Sequence, residues 1–347
     1  MCVRPNGDGP HYGATDRAMI QTAIENGGQA LQKETRRHPS FADFAAIGSN
    51  LGAIEAGMRF AQATTPFVLI IGAAGWGKTH LLESVSHYMG LQGIQANRPI
   101  AATIYACFPD RTDESLPLML DDVQDAWTNM RTKQELRRLL ERRVRAKRQT
   151  MVAFSDGVTR AEAVRYLPGS QEWGCQTIRE PTRTERDLVV RQIADVEGVA
   201  LSKPIVTLIS RHLFGNGRSI LGAIQTLRLI RPDWSRRSDV CEACGVLMPY
   251  IHGEDGWDPR DVMNEAVAAT YSVLPVAGVT SGQVCAYMLI SEMGLSEYDV
   301  ATFLDVSPTK AYAMSNGVKL QLADARLADC VQMCRSAVVK SLDTETC

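Results

Sequence analysis

The stretch Val68-Leu69-Ile70-Ile71-Gly72-Ala73-Ala74-Gly75-Trp76-Gly77-Lys78-Thr79-His80-Leu81-Leu82 constrains this chain more than any other. It reads as an apolar strand, then G-x-x-x-x-G-K-T, then the start of a helix. That context is what makes the pattern a phosphate-binding loop. Gly72, Gly75 and Gly77 let the backbone curl so that successive N–H groups point at an anion. The N-terminus of the following helix adds a favourable dipole. Lys78 suits the β- and γ-phosphates of a nucleotide, and Thr79 offers its hydroxyl to Mg²⁺. Trp76 and His80 belong to the same nucleotide-binding run. The bland alternative, a chance glycine-rich turn, does not explain why strand, loop and helix follow in that order.

A chain of 347 residues has room for two or three domains. Its apolar content of 45% is that of a globular protein. With no apolar run long enough to span a bilayer, neither a membrane helix nor a membrane partner is expected. The first ten residues have no apolar core of a secretory signal. Nine cysteines, odd in number and irregularly spaced, do not form a disulfide framework. They suit a reducing compartment, so a cytoplasmic location is expected.

Apolar runs and helical stretches alternate from 41 to 181, which predicts an α/β domain with a parallel sheet and flanking helices. Strands are expected at 67–71, 102–107, 117–120, 150–154 and 175–178. Residues 1–40 read as a polar, partly disordered extension. Residues 182–231 read as helices only (184–196, 204–213 and 218–229), 232–257 as a connector, and 258–340 as a second helical domain.

Leu118-Met119-Leu120 ends in Asp121-Asp122, an apolar strand finishing in two carboxylates. After a phosphate loop, Asp121 can hold Mg²⁺ and Asp122 can polarise an attacking water. Alone, such a run is an ordinary strand-ending turn. Met151-Val152-Ala153-Phe154 ends in Ser155-Asp156, and ligands of open α/β sheets sit at such strand ends. Asp156 is a candidate to sense the γ-phosphate, with a simple Ser-Asp-Gly turn as the equal alternative.

Together these motifs resemble the AAA+ ATPases, and among them the DnaA-type bacterial replication initiators, over residues 40–320. Phe41-Ala42-Asp43-Phe44 with Gly48-Ser49-Asn50 resembles the family's segment near the adenine, which implies a nucleotide contact for Asn50. Gly75–Leu82 resembles its phosphate loop, Leu120–Gln124 its acidic motif and Ser155-Asp156 its first sensor. Asn216–Ala223 resembles its second sensor, which implies that Arg218 reads the γ-phosphate. Thr280–Met288, Leu295–Leu304 and Ser307–Tyr312 resemble its C-terminal helix-turn-helix domain. Val300, Ala301, Leu304, Val306, Ala311 and Met314 fit the apolar interior of that motif. The resemblance implies a P-loop ATPase with a helical lid, followed by an all-α DNA-binding domain. Its ligands are ATP or ADP with Mg²⁺. Its partners are origin DNA, replication initiator or helicase-loading proteins, and other copies of itself.

Departures from the family pattern bear on activity. Ser170 stands where the family has its arginine finger before Trp173-Gly174, so any hydrolysis is expected to be slow. Only about a dozen residues separate the predicted strand 102–107 from Leu118, where the family inserts a helical pair that grips single strands. About forty residues precede the ATPase region, too few for the family's helicase-loading domain. The segment 261–347 carries five basic and ten acidic residues, a formal charge of −5. Duplex affinity comes largely from neutralising phosphates, so origin recognition is weakened, and a regulatory paralogue that binds the initiator or helicase without reading origin DNA is the alternative. Thr309, Lys310 and Lys319 remain the DNA contacts on offer there.

Positive charge gathers elsewhere. Arg131 to Arg148 holds nine Lys/Arg and two Glu, with Leu136, Leu139, Leu140 and Val144 at helical spacing. Arg137 and Arg138 are the candidates for a phosphate-backbone contact, against the plainer reading of a solvated helix face. Cys241-Glu242-Ala243-Cys244, followed by His252, has half of a zinc pattern and lacks the second pair. These read as connector cysteines, and Cys330 and Cys334 as core.

Overall fold

A computed structural model describes residues 38–107, 113–155, 158–169, 171–213, 215–251 and 257–344. The chain divides into two compact units, one ending at Pro181 and one starting at Thr182.

The first unit is built on strands β1 (Phe67–Gly72), β2 (Ile100–Ala101), β3 (Leu118–Asp121), β4 (Thr150–Phe154) and β5 (Gly174–Ile178). They form one parallel sheet in the order β2-β3-β4-β1-β5. Strands β1, β3 and β4 are buried along their whole length, as expected when helices cover both faces of a parallel sheet. Alternation along β1 sends Phe67, Leu69 and Ile71 to one face. There they meet α3 (Ala102–Cys107), α4 (Val123–Ala126), α5 (Met130–Arg145) and α6 (Arg160–Tyr166). Val68 and Ile70 face the other way, onto α1 (Leu51–Ala61) and α2 (Lys78–Leu91).

One predicted strand is a helix. Residues 102–107 form α3, and β2 is only the two residues before it. Ala102 and Tyr105 are its buried positions, a spacing of three, whereas Ile104 and Cys107 face solvent. A short, mainly apolar run fits either period, and here the helical one wins because only one side of the run is covered.

The basic segment forms α5 with Leu136, Leu139 and Leu140 inward. Arg143 is inward too. Its Nε donates to Thr150 Oγ1 at 2.8 Å, Nη1 to Glu114 O at 2.8 Å, and Nη2 to Leu116 O and Gln149 O at 2.7 Å each. Burial pushes this guanidinium down to about 10, still charged at neutral pH. Arg143 is therefore a strut at the starts of β3 and β4, not part of a basic surface.

The second unit opens with α7 (Arg183–Glu197), α8 (Lys203–His212) and α9 (Gly217–Ile230). Thr182 and Glu185 form a capping box at the start of α7, and Gly198 in the left-handed region ends it. A two-residue parallel ladder joins β6 (Ala200–Leu201) to β7 (Asp233–Trp234). The stretch read as a connector contains α10 (Val240–Leu247), whose Cys241 and Cys244 are buried. Gly245 is forced there: a Cβ would lie 1.6 Å from the Met293 carbonyl oxygen.

Helices α11 (Pro259–Val273), α12 (Ser281–Tyr287), α13 (Glu297–Leu304), α14 (Pro308–Gln321) and α15 (Ala325–Thr344) complete the unit. The turn between α13 and α14 is short because Asp305 takes φ +52 and Ser307 caps α14 by accepting from Lys310 N. Val300, Ala301 and Ala311 are buried between these helices, while Leu304, Val306 and Met314 are half-buried. Cys330 and Cys334 lie in the core of α15's inner face. Among the described residues, no helix is long and apolar enough to cross a membrane.

Candidate nucleotide site

The loop after β1 has the backbone that its glycines predict. Gly75 and Gly77 take φ +79 and +97, a region costly for any residue with a Cβ. Gly72 is required for a different reason. A Cβ there would lie 2.5 Å from the Ile178 carbonyl oxygen, so β5 approaches β1 too closely for a side chain. Trp76 is half-buried against the apolar cluster that includes α1 and α2.

Lys78 is buried, and its Nζ donates to Gly72 O at 2.8 Å and Ala73 O at 2.9 Å. The ammonium is thus held over the loop by the loop's own carbonyls. Thr79 Oγ1 donates to Asp121 Oδ2 at 2.6 Å, across 42 residues of sequence. This bond joins the phosphate loop to the end of β3. Burial pushes the Asp121 carboxyl above its usual range, and the neighbouring Asp122 adds to this. The Thr79 hydroxyl and Lys78 oppose it without prevailing. A buried carboxylate beside a hydroxyl and short of positive charge is what a divalent cation relieves.

Asp122 takes φ +48, which turns its side chain out of the strand direction. Ser155 Oγ donates to its Oδ1 at 2.8 Å, and Gln124 Nε2 does so at 3.3 Å. Gln124 Oε1 in turn accepts from Ser155 N at 2.9 Å. Ser155 and Gln124 therefore position Asp122, a role that sequence reasoning did not assign to them. The available signal was that Ser155 stands one residue, and Gln124 three, beyond a strand end. Their meeting depends on β3 and β4 being neighbours.

Other predicted residues fall differently. Asn50 Oδ1 accepts from Ile47 N at 3.0 Å, and its Nδ2 donates to Ala45 O at 2.9 Å, so it folds the turn before α1. His80 packs edge-on against Phe44, with ring centroids 4.4 Å apart. Arg218 is exposed at the second position of α9 in the other unit. Asp156, Ser170 and His252 lie outside the described residues. Burial pushes the Cys241 thiol up to about 12 and raises Cys244 as well, away from the thiolate that a zinc ligand needs. Among the described residues, no group of three or more His, Cys, Asp or Glu is placed to hold a metal ion.

On the surface of α5, Arg137 pairs with Glu141 at 3.1 Å and Arg138 with Glu135 at 2.9 Å. Arg142 reaches Glu114 at 2.7 Å. In α14 the exposed side holds Thr309, Lys310, Tyr312, Lys319 and Leu320. No carboxylate occurs in that helix. The acids of the domain lie on α11, α13 and α15, at Glu292 and in the turns.

No family model matches the chain. The chromosomal replication initiator protein DnaA of Wolinella succinogenes is 27% identical over 273 residues, 73% of this chain and 62% of the relative. Domain III of the Thermotoga maritima replication initiation protein DnaA superposes with a TM-score of 0.52 at 18% identity, over 63% of this chain and 99% of that one. The chain is a divergent, DnaA-like protein. DnaA of Nitrosospira multiformis is also similar to it, 26% identical over 219 residues, 55% of this chain and 44% of that relative. The DnaA-like chain thus spans less than two thirds of the length of these curated relatives. The likeness to domain III shows the fold, an α/β unit with helices flanking a parallel sheet.

Proposed function

We propose that this DnaA-like chain binds ATP or ADP with Mg²⁺ and acts in the initiation of chromosomal DNA replication, or in its regulation. The observation that carries the reading is the Thr79–Asp121 bond at 2.6 Å, beside a buried Lys78 held over a left-handed glycine loop. The cradle fits the group. Its glycines take the left-handed turns that a phosphate cradle needs, its lysine places a cation over the loop, and its acid is buried beside a hydroxyl.

ATP supplies the phosphoanhydride whose presence or loss the protein reads. Lys78 would hold the phosphate charge, and Thr79 and Asp121 would hold the cation. Asp122, fixed by Ser155 and Gln124, accepts a hydrogen bond from an attacking water and polarises it. Asp156 and Arg218 are assigned to sensing, a role that rests on sequence resemblance. Slow hydrolysis favours a long-lived ATP state, and that state biases assembly with DNA or protein partners.

DNA contact is assigned to Thr309, Lys310 and Lys319 of α14, with Arg137 and Arg138 of α5 as a second surface. The two arginines are 66% and 65% exposed. Exposed ion pairs are weak, so phosphates compete for them readily. A second reading, a regulator directed at the initiator or helicase, is favoured by the exposed carboxylates Asp261, Glu265, Asp299, Asp305, Asp324 and Asp329.

Fluorescence anisotropy with origin duplex and scrambled duplex, at two salt concentrations, with ATP and with ADP, decides between them. Sequence-preferring, salt-sensitive binding supports an initiator. Nucleotide binding without any DNA preference supports the partner-directed regulator.

A further inference from the structure

The segment that leads into α1 lies along one side of α2, held by three ring contacts. His38 stacks on His87 with centroids 5.5 Å apart and planes 17° from parallel. Phe41 meets Tyr88 edge-on at 5.8 Å, and Phe44 meets His80 edge-on at 4.4 Å. Positions 80, 87 and 88 share one face of α2, seven and eight residues apart. Ser40 N donates to Asp43 Oδ2 at 2.8 Å, which closes the turn between these anchors. The far end of the segment reaches the phosphate loop itself. A Cβ on Gly77 would lie 3.2 Å from Phe44 Cε1, so the Phe44 ring backs the residue that turns the loop into α2.

The stacked pair leaves a proton poorly placed on His87. His87 is lowered by burial first and then by His38 beside it, against Asp43. The carboxylate facing His87 is therefore Asp43 of the lead-in segment, and it does not restore the protonated form.

We propose that His38 and His87 are positioning residues that latch the lead-in segment onto α2 and so set the phosphate loop, and that mild acid opens the latch. The inference rests on the nucleotide reading above and adds a means of regulating that site. A proton taken up on His87 is better accommodated once the segment, and His38 with it, lifts away. Docking is complete above the ordinary histidine range near pH ~6.5 and is lost as pH falls below it.

Two measurements on the full chain test this. The first is hydrogen exchange of residues 38–44 at pH 7.5 and 5.5, each referenced to intrinsic peptide rates. The second is anisotropy of a fluorescent ADP across the same range. The latch predicts lost protection and ADP binding weaker by roughly threefold or more at the lower pH. It also predicts that the double variant His38→Gln, His87→Gln has a flatter binding profile than the natural chain. His38→Gln alone, at an exposed position, provides the same comparison should the double variant not fold. Unchanged protection, or superimposable pH profiles for natural and variant chains, overturns the latch. Absence of ADP binding at every pH overturns the nucleotide reading instead, while the exchange data still decide the latch.

Discussion

The phosphate-loop unit and the helix-turn-helix of the second unit carry their chemistry in opposite ways. In the first, the side chains that matter converge on one buried centre and hold each other: Lys78 on two carbonyls, Thr79 on Asp121, Ser155 and Gln124 on Asp122. In the second, Thr309, Lys310 and Lys319 stand exposed on α14, and their surroundings are set by charge over distance. A convergent site fixes the identity of nearly every residue in it, because each is partner to another. A surface site tolerates exchange and acts by sum, so its residues follow no motif. The difference predicts steep losses from single changes in the first region and graded ones in the second.

The steepest test is Lys78→Ala. Removing the buried ammonium is expected to weaken ATP and ADP binding by at least about 100-fold, the equivalent of ~3 kcal/mol, measured by titration calorimetry. Binding within a few-fold of the natural chain would mean that the centre is not convergent in function. Gly72→Ala places a methyl group against the Ile178 carbonyl at 2.5 Å. Its expected cost is about 1–3 kcal/mol of stability from parting β1 and β5, read by chemical denaturation.

Asp121→Asn sharpens the comparison because two observables move in opposite directions. A carboxyl raised by burial favours folding below the ordinary carboxylate range and opposes it as pH rises above that range. At neutral pH the uncharged amide is therefore expected to raise the Tm of the nucleotide-free protein while abolishing the Mg²⁺ dependence of nucleotide binding. A lowered Tm would show that the charge is already compensated. On the other unit, Lys310→Ala and Lys319→Ala are each expected to weaken duplex binding a few-fold and to reduce the salt slope by about 0.9. The smallest effect belongs to Arg137→Ala and Arg138→Ala, within about 0.5 kcal/mol of stability by thermal melting, since both pairs are exposed.

What was legible in the sequence follows the same division. The strand, loop and helix around Gly72–Thr79 were legible because glycine and lysine are dictated locally, by backbone sign and by the anion. Asp121 was legible once a phosphate loop preceded it. Residues 102–107 were misread because a short, mainly apolar run fits two periods and only the surroundings choose. Arg143 was counted with a basic surface because nothing in a run of arginines marks which one turns inward.

The sequence by itself determined the elements whose reason is local: the left-handed glycines of the loop, the caps Thr182 and Ser307, the inward stripe of α5. Tertiary structure decided which distant ends meet. Asp121 reaches Thr79, and Ser155 reaches Asp122, because the sheet runs in the order β2-β3-β4-β1-β5. It also laid the lead-in segment along α2, bringing His38 onto His87. Backbone preference acts over a few residues and is written in each of them. Adjacency between strands is settled by how two helical layers cover one sheet, a property of the whole unit that no short stretch contains.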